Sequence, residues 1–294
     1  MILYQATGIL TLKGALLQAK IERLKEERRG EPKPRGKVQN VWSRQSRARL
    51  AKTLFQLLPA LRVGYNYAIT LTYRQRTPEE SKQDLRKLYK RLQYLLKNQS
   101  WFAIWKMESQ LRGIVHYHIL LHTEYEMNLL QLRTYISHAW AEITGDTQLA
   151  ITGTRVDRIE IRKVEQAMIY ILGHATSLRK AYQNQAQHEE WTGRWWGVWN
   201  KPKLPTFQMP ITFQQLHQLK RCLAKIRPIP KRCQSSFWTY CEPELFLHLI
   251  EALFDIQEGA MTNTRQRHTL NRQPSSPIGN QTAPNLHPRQ VHPP

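Results

Sequence analysis

Two runs rich in aromatic and branched apolar residues, Trp101 to Ser109 and Ile114 to His122, are separated only by a short segment holding Leu111-Arg112-Gly113. Such a connection is too short for a crossover, so the runs read as two strands folded back on each other. Tyr65 to Tyr73, again aromatic and β-branched, reads as a further strand. Thr77-Pro78-Glu79-Glu80 follows, with Thr77 as N-cap, proline at the first helical position and Glu80 closing a capping box. The helix it opens carries Leu85, Leu88, Tyr89, Leu92, Leu95 and Leu96 on one side, with Arg86, Lys87, Lys90 and Arg91 on its other faces.

Beyond the hairpin, Asn128 to Ile143 has helical spacing (Leu129, Leu132, Ile136, Trp140), and Thr154 to Arg162 alternates as a strand. Lys163 to about Tyr182 is a second strong helix. The order is β-α-β-β-α-β-α. Its first six elements match the ferredoxin-like, RRM-like split βαβ arrangement: an α+β fold with an antiparallel sheet and helices on one face. Trp191 to Trp199 reads as an aromatic loop or short strand, Thr212 to Lys225 as a basic amphipathic helix and Pro243 to Phe254 as an apolar one.

Charge divides the rest. Residues 1–60 read as a basic N-terminal arm, because residues 18–52 gather Arg28, Arg29, Lys33, Arg35, Lys37, Arg44, Arg47 and Arg49 around Pro32 and Pro34. The expectation there is a segment helical early and then extended. Residues 61–200 form the main domain and 201–258 a basic helical C-terminal extension. Residues 259–294, rich in Gln, Asn, Thr, Ser, His and Pro, cannot bury enough apolar surface to offset ordering and read as a disordered tail.

The net charge is +22, and with it come nine tryptophans and twelve tyrosines. Aromatic faces stack on bases while Lys and Arg hold phosphates, the chemistry single strands need; many of these rings must also serve the core. No run of about 18 apolar residues spans a bilayer. Lys13 breaks the apolar start, which argues against a signal peptide. Three cysteines, Cys222, Cys233 and Cys241, without CxxC spacing, fit a reducing compartment, and hence a cytoplasmic location. Cys233, Cys241 and His248 are a weak zinc set, with buried or unligated thiols the alternative. The chain carries no GxxxxGK[ST] phosphate loop, so no fused helicase motor is expected.

The sharpest local feature is Gly113-Ile-Val-His116-Tyr-His118-Ile-Leu-Leu-His122. Side chains at i and i+2 of a strand share a face, so His116 and His118 point the same way. Counting around the turn, Glu108 falls opposite His116 on that face. Two imidazoles and a carboxylate suit Mn²⁺ or Mg²⁺ with positions open for phosphate oxygens; two structural histidines in a hairpin are the alternative. His122 continues the face as a supporting or solvent histidine.

These residues resemble the HUH endonucleases, specifically the rolling-circle replication initiators of plasmids and the filamentous-phage replication proteins. The family pattern of glutamate, Arg-Gly turn and His-hydrophobic-His is matched by Glu108, Arg112-Gly113 and His116-Tyr117-His118. A first-motif strand is matched by Ile69-Thr70-Leu71-Thr72-Tyr73, and a glycine-arginine-aromatic-tryptophan-glycine run by Gly193-Arg194-Trp195-Trp196-Gly197. The order and spacing agree across roughly residues 65–225. The resemblance implies an HUH nuclease fold for 61–200, with Glu108, His116 and His118 as metal ligands. It also implies a nucleophilic tyrosine on the helix Ala167-Met168-Ile169-Tyr170-Ile171-Leu172-Gly173-His174. Tyr170 takes that position, with Tyr182 as runner-up. Where the family usually has lysine, three residues on, this chain has Gly173. His174, on the Tyr170 face one turn away, is the candidate substitute, and Lys163 lies two turns earlier. Thr70, Thr72, Arg112, Arg194 and Trp196 are the candidate DNA contacts, the threonine pair having sheet packing or hydrogen bonding as its alternative.

The implied function is site-specific nicking and joining of single-stranded or hairpin origin DNA through a phosphotyrosine, with Mn²⁺ or Mg²⁺, to start rolling-circle replication of a plasmid or phage. The implied setting is a bacterial host cell with its replicative helicase and polymerase as partners, away from membranes. The alternatives are an HUH transposase or relaxase, or a catalytically degenerate origin-binding protein.

Overall fold

A computed structural model describes residues 7–21, 42–109, 114–173, 194–226 and 236–251. In chain order the first elements are β1 (Thr7–Lys13), β2 (Leu16–Ile21), α1 (Arg44–Leu61), β3 (Tyr65–Thr72) and α2 (Pro78–Leu95). Next come β4 (Trp101–Ser109), β5 (Val115–Thr123), α3 (Leu129–Thr144), a single turn α4 (Leu149–Thr152) and β6 (Thr154–Ile159). A 3-10 turn leads into α5 (Val164–Gly173), followed by β7 (Trp196–Trp199), β8 (Thr206–Thr212), α6 (Phe213–Ile226) and β9 (Ser236–Tyr240); residues 243–251 are again helical. All described residues but Glu251 fall in one compact unit that runs to Ile250.

Local chemistry sets the boundaries. Thr77 and Glu80 form the reciprocal capping box with proline at the start of α2, and Asn128 caps α3 by accepting from the Gln131 N–H at 3.1 Å. β6 is shorter than its alternation suggests, ending at Ile159 where the 3-10 turn Ile161–Lys163 takes over.

The larger sheet has the order β6-β3-β5-β4-β7, with every neighbouring pair antiparallel. The four strands of the β-α-β-β-α-β run therefore lie as fourth, first, third, second, with β7 added at the edge. The chain is α+β with antiparallel sheets. α2 and α3 cover one face: the Tyr117 hydroxyl donates to Ser81 Oγ at 3.2 Å, and the Trp140 indole donates to the Thr72 carbonyl at 3.1 Å.

Helices on one face only is corrected. α1 lies on the opposite face, where Asn66 donates to the Leu61 carbonyl at 2.7 Å and the Trp196 indole to Ser46 Oγ at 3.0 Å. α5 lies there too, its Tyr170 against His118. The reason is apolar surface: Leu50, Leu54, Leu57 and Leu61 of α1 are fully buried, so its arginines decorate a core helix.

The reading of residues 1–60 as an arm, helical early and then extended, is likewise corrected where the chain is described. β1 and β2 form a hairpin inside a second sheet, order β8-β1-β2-β9, and α1 is a capped helix. Gly14 makes the hairpin turn at φ +57°, and a Cβ there would meet the Gln56 carbonyl oxygen at 1.9 Å, so only glycine fits. The 201–258 segment, read as helical, supplies β8 and β9 to this sheet as well as α6. Phe55 of α1 packs on Trp238 and Tyr240 from one side (ring centroids 5.9 and 5.7 Å), while α6 covers the other with Lys220 over Phe237. α1 is thus shared by both sheets. The Leu111-Arg112-Gly113 turn, the helix beyond Gly173 and the 259–294 tail lie outside the described residues. Among those described, no helix is long and apolar enough to cross a membrane.

Candidate active site

Period-two alternation on three adjacent strands gathers the candidate residues on the α5 face. Glu108 is the direct partner of His116, and His118 and His116 pair with Thr70 and Thr72. Each threonine hydroxyl holds one imidazole: Thr70 Oγ1 lies 3.3 Å from His118 Nδ1, and Thr72 Oγ1 lies 2.8 Å from His116 Nδ1. Tying both Nδ1 atoms orients the rings and assigns Nε2 to the site, the arrangement that supports metal-binding histidines. The two rings meet edge-on at 4.5 Å, and His118 Nε2 stands 3.3 Å from Glu108 Oε2.

Tyr170 reaches this cluster from α5. Its ring meets His118 edge-on at 5.3 Å and is 50 % exposed, so the hydroxyl is open to a large ligand. A cavity of about 190 Å³ separates α5 from β3 and β5, bounded by Thr70, His118, Ala167 and Tyr170 among others. Burial and the nearby Glu108 charge push the Tyr170 phenol above its ordinary value, with Arg155 pulling the other way.

Two residues here escaped the sequence reading. Lys106, two before Glu108 and on the same face, is 0 % exposed; its ammonium hydrogen-bonds Glu108 Oε1 and lies 4.9 Å over the Trp42 ring. A charge inside an apolar strand was the available signal. Burial alone would raise the Glu108 carboxyl, but the His118 hydrogen bond and the Lys106 charge outweigh it and hold it well below the usual carboxylate range. Arg155 pairs with Thr70 on β6, which puts it on the same face, where it also pairs with Asp157 at 2.6 Å. That neighbourhood follows only from the strand order.

The donor set suits a hydrated divalent cation in type. The 3.3 Å between His118 Nε2 and Glu108 Oε2 is also near the roughly 3 Å that adjacent donors keep around an octahedral ion with bonds of about 2.1 Å. With the side chains as they stand, however, no group of three His, Cys, Asp or Glu among the described residues is disposed to hold a metal.

The threonine pair, read as DNA contacts with hydrogen bonding as its alternative, makes hydrogen bonds to the histidines. Arg194 and Trp196 are not brought to the cluster: β7 is two strands from β5. Lys163 pairs at the surface with Glu160 at 2.8 Å. Gly173 ends α5, and Arg112, His174, Tyr182 and Cys233 lie outside the described residues. His122 is half-buried, its Nδ1 3.0 Å from Asn66 Oδ1 and its ring 4.6 Å from Phe102.

A chain of α+β class with antiparallel sheets, carrying a His-Glu-Tyr cluster on one strand face, is what the geometry defines. Residues 66–191 match the family model for replication-associated proteins of the ORF2 type, a stretch that takes in the whole cluster and stops short of β7. That likeness supports a protein of replication-initiator type. No curated protein matches the chain. One solved structure, the hypothetical protein ORF119 from Sulfolobus islandicus rod-shaped virus 1, is 17 % identical over 41 % of this chain and 92 % of its own. Its TM-score is 0.24, too low to bear on the fold.

Proposed function

We propose that this chain is a tyrosine strand transferase of the HUH type that nicks and rejoins single-stranded origin DNA to begin rolling-circle replication. The observation that carries the reading is the edge-on contact of Tyr170 with His118, on the face that also holds His116 and Glu108. The strand order fourth-first-third-second, that of a ferredoxin-like sheet, supports it, and so does the likeness to replication-associated proteins over 66–191.

In this reading Glu108, His116 and His118 hold Mn²⁺ or Mg²⁺. When bound, the ion supplies Lewis-acid polarisation of the scissile phosphate and stabilises charge on its non-bridging oxygens. The chain's own residues do the rest. Tyr170 Oη gives up its proton and bonds to phosphorus, while the phosphorus–O3′ bond breaks and the leaving oxygen takes a proton. The products are a 5′-phosphotyrosine and a 3′-hydroxyl. The phosphodiester energy stays in the covalent link, so rejoining needs no nucleotide cofactor. Arg155, on the face of His118 and Tyr170, is the described cation that stands in for the lysine absent at position 173.

The test is a covalent protein–oligonucleotide adduct on a denaturing gel, formed with single-stranded origin DNA and Mn²⁺. Wild type forms it and Tyr170→Phe does not. The second reading, an origin-binding protein that no longer cuts, is favoured by the raised phenol and by the side chains not standing ready for a metal. It prevails if no origin strand ever gives an adduct.

A further inference from the structure

The Gly193-Arg-Trp-Trp-Gly-Val run has no part in the cluster, yet it builds the edge strand β7 and bounds a groove on each face of it. The larger groove, of about 480 Å³, lies on the α2 face, away from Tyr170. Its walls are Tyr89, Trp105 and Trp199, and Lys82, Arg86 and Arg194 line it too. Tyr89 and Trp199 stand 5.3 Å apart at 38°. Gly197 faces Trp105 across the β4–β7 pair, and a Cβ there would come within 2.8 Å of the indole. The glycine therefore lets the indole wall lie close against β7. Lys82 also pairs with Glu79 at 3.2 Å, so Arg86 and Arg194 carry the electrostatic argument. The second groove, on the α1 face, is lined by Arg49, Lys201 and again Arg194. One arginine therefore borders both grooves at the edge of the sheet.

Aromatic faces with arginines beside them are the chemistry of a single strand: bases stack while the cations follow the phosphates. We propose that the α2-face groove is a second single-stranded DNA site, in which bases stack among Tyr89, Trp105 and Trp199 while Arg86 and Arg194 meet the backbone. The strand then rounds the β7 edge past Arg194 to the Tyr170 face. This rests on the strand-transferase reading for its ligand, but it concerns a surface that reading does not use.

The experiment measures binding of a labelled single-stranded oligonucleotide to the full chain in a Tyr170→Phe background, across a salt series. Arg86→Gln should weaken binding several-fold and make the salt slope less negative by about 0.7, the value for one lost phosphate contact on a single strand. Tyr89→Leu should weaken binding by about tenfold and leave the slope unchanged. Lys97→Gln, at the end of α2 and outside the groove, should change neither. An oligonucleotide carrying 5-iodouracil should cross-link to peptides holding Trp105 or Trp199. Unchanged affinity and slope in Arg86→Gln, an exposed position that puts the fold at no risk, with cross-links only elsewhere, would overturn the proposal and leave the active-site reading standing. No binding of any oligonucleotide at low salt would overturn both.

Discussion

Lys106→Met tests whether the buried ammonium holds the site together. Lys106 is 0 % exposed and Glu108 3 %, so the pair is out of water and its members depend on each other. Methionine keeps the volume of the stem and removes the cation, leaving a carboxylate in an apolar strand with the His118 contact at 3.3 Å. Breaking a buried pair from one side costs about 3–5 kcal/mol, and the retained His118 contact argues for the lower end. At about 2–4 °C per kcal/mol for a chain of this size, the melting midpoint should fall by about 6–12 °C. Glu108→Gln added to Lys106→Met removes the uncompensated charge, so the double variant should regain most of the loss. The assay is denaturation followed by tryptophan fluorescence, in EDTA so that no added cation replaces the ammonium. A Lys106→Met protein as stable as wild type would refute the reasoning. So would a loss that Glu108→Gln leaves untouched, since the cause would then be packing around Trp42.

Three further outcomes are expected. His116→Ala or His118→Ala should abolish Mn²⁺-dependent nicking while single-strand binding in a gel-shift assay stays within a few-fold of wild type; undiminished cleavage by either would remove the metal-site reading. Arg155→Gln should slow adduct formation by about tenfold or more, as expected for a cation beside the reacting phosphate, with Mn²⁺ affinity by calorimetry unchanged. Burial holds the His122 imidazole down to about 4, so the unfolded chain takes a proton near pH 6.5 that the folded protein refuses. Its contribution is therefore complete above about pH 6.5 and is lost as pH falls to about 4, amounting to about 2 kcal/mol after allowance for solvent screening. Denaturant titrations of His122→Asn across that window should lack this slope.

The parts legible in the sequence were those whose signals are local. Thr77 and Asn128 marked their helices by side-chain chemistry, and the His116 and His118 alternation placed both rings on one face. Glu108 could be set opposite His116 by counting through a single turn. What stayed hidden depends on partners far along the chain. Thr7 to Lys13 pairs with Leu16–Ile21 nearby but also with Thr206–Thr212, and that second pairing leaves no mark near residue 10. The arginines before residue 52 masked the Leu50, Leu54, Leu57 spacing that makes α1 a core helix. Arg155 could be seen beside Thr70 only once β6 was known to flank β3.

The wedging of α1 between two sheets has a consequence for how the chain comes off the ribosome. Both strands that flank the hairpin Thr7–Ile21, namely Thr206–Thr212 and Ser236–Tyr240, are synthesised some two hundred residues after it. Until then its two outer edges present unpaired backbone, and the aromatic side of α1 around Phe55 lacks Trp238 and Tyr240. The nascent protein therefore carries a sticky hairpin through most of its elongation, and a chain cut between the catalytic strands and residue 206 would keep that hazard permanently. Expression of a shortened nuclease piece should begin after residue 21, with the exposed flank of α1 made polar, because retaining the hairpin without its late partners invites self-association.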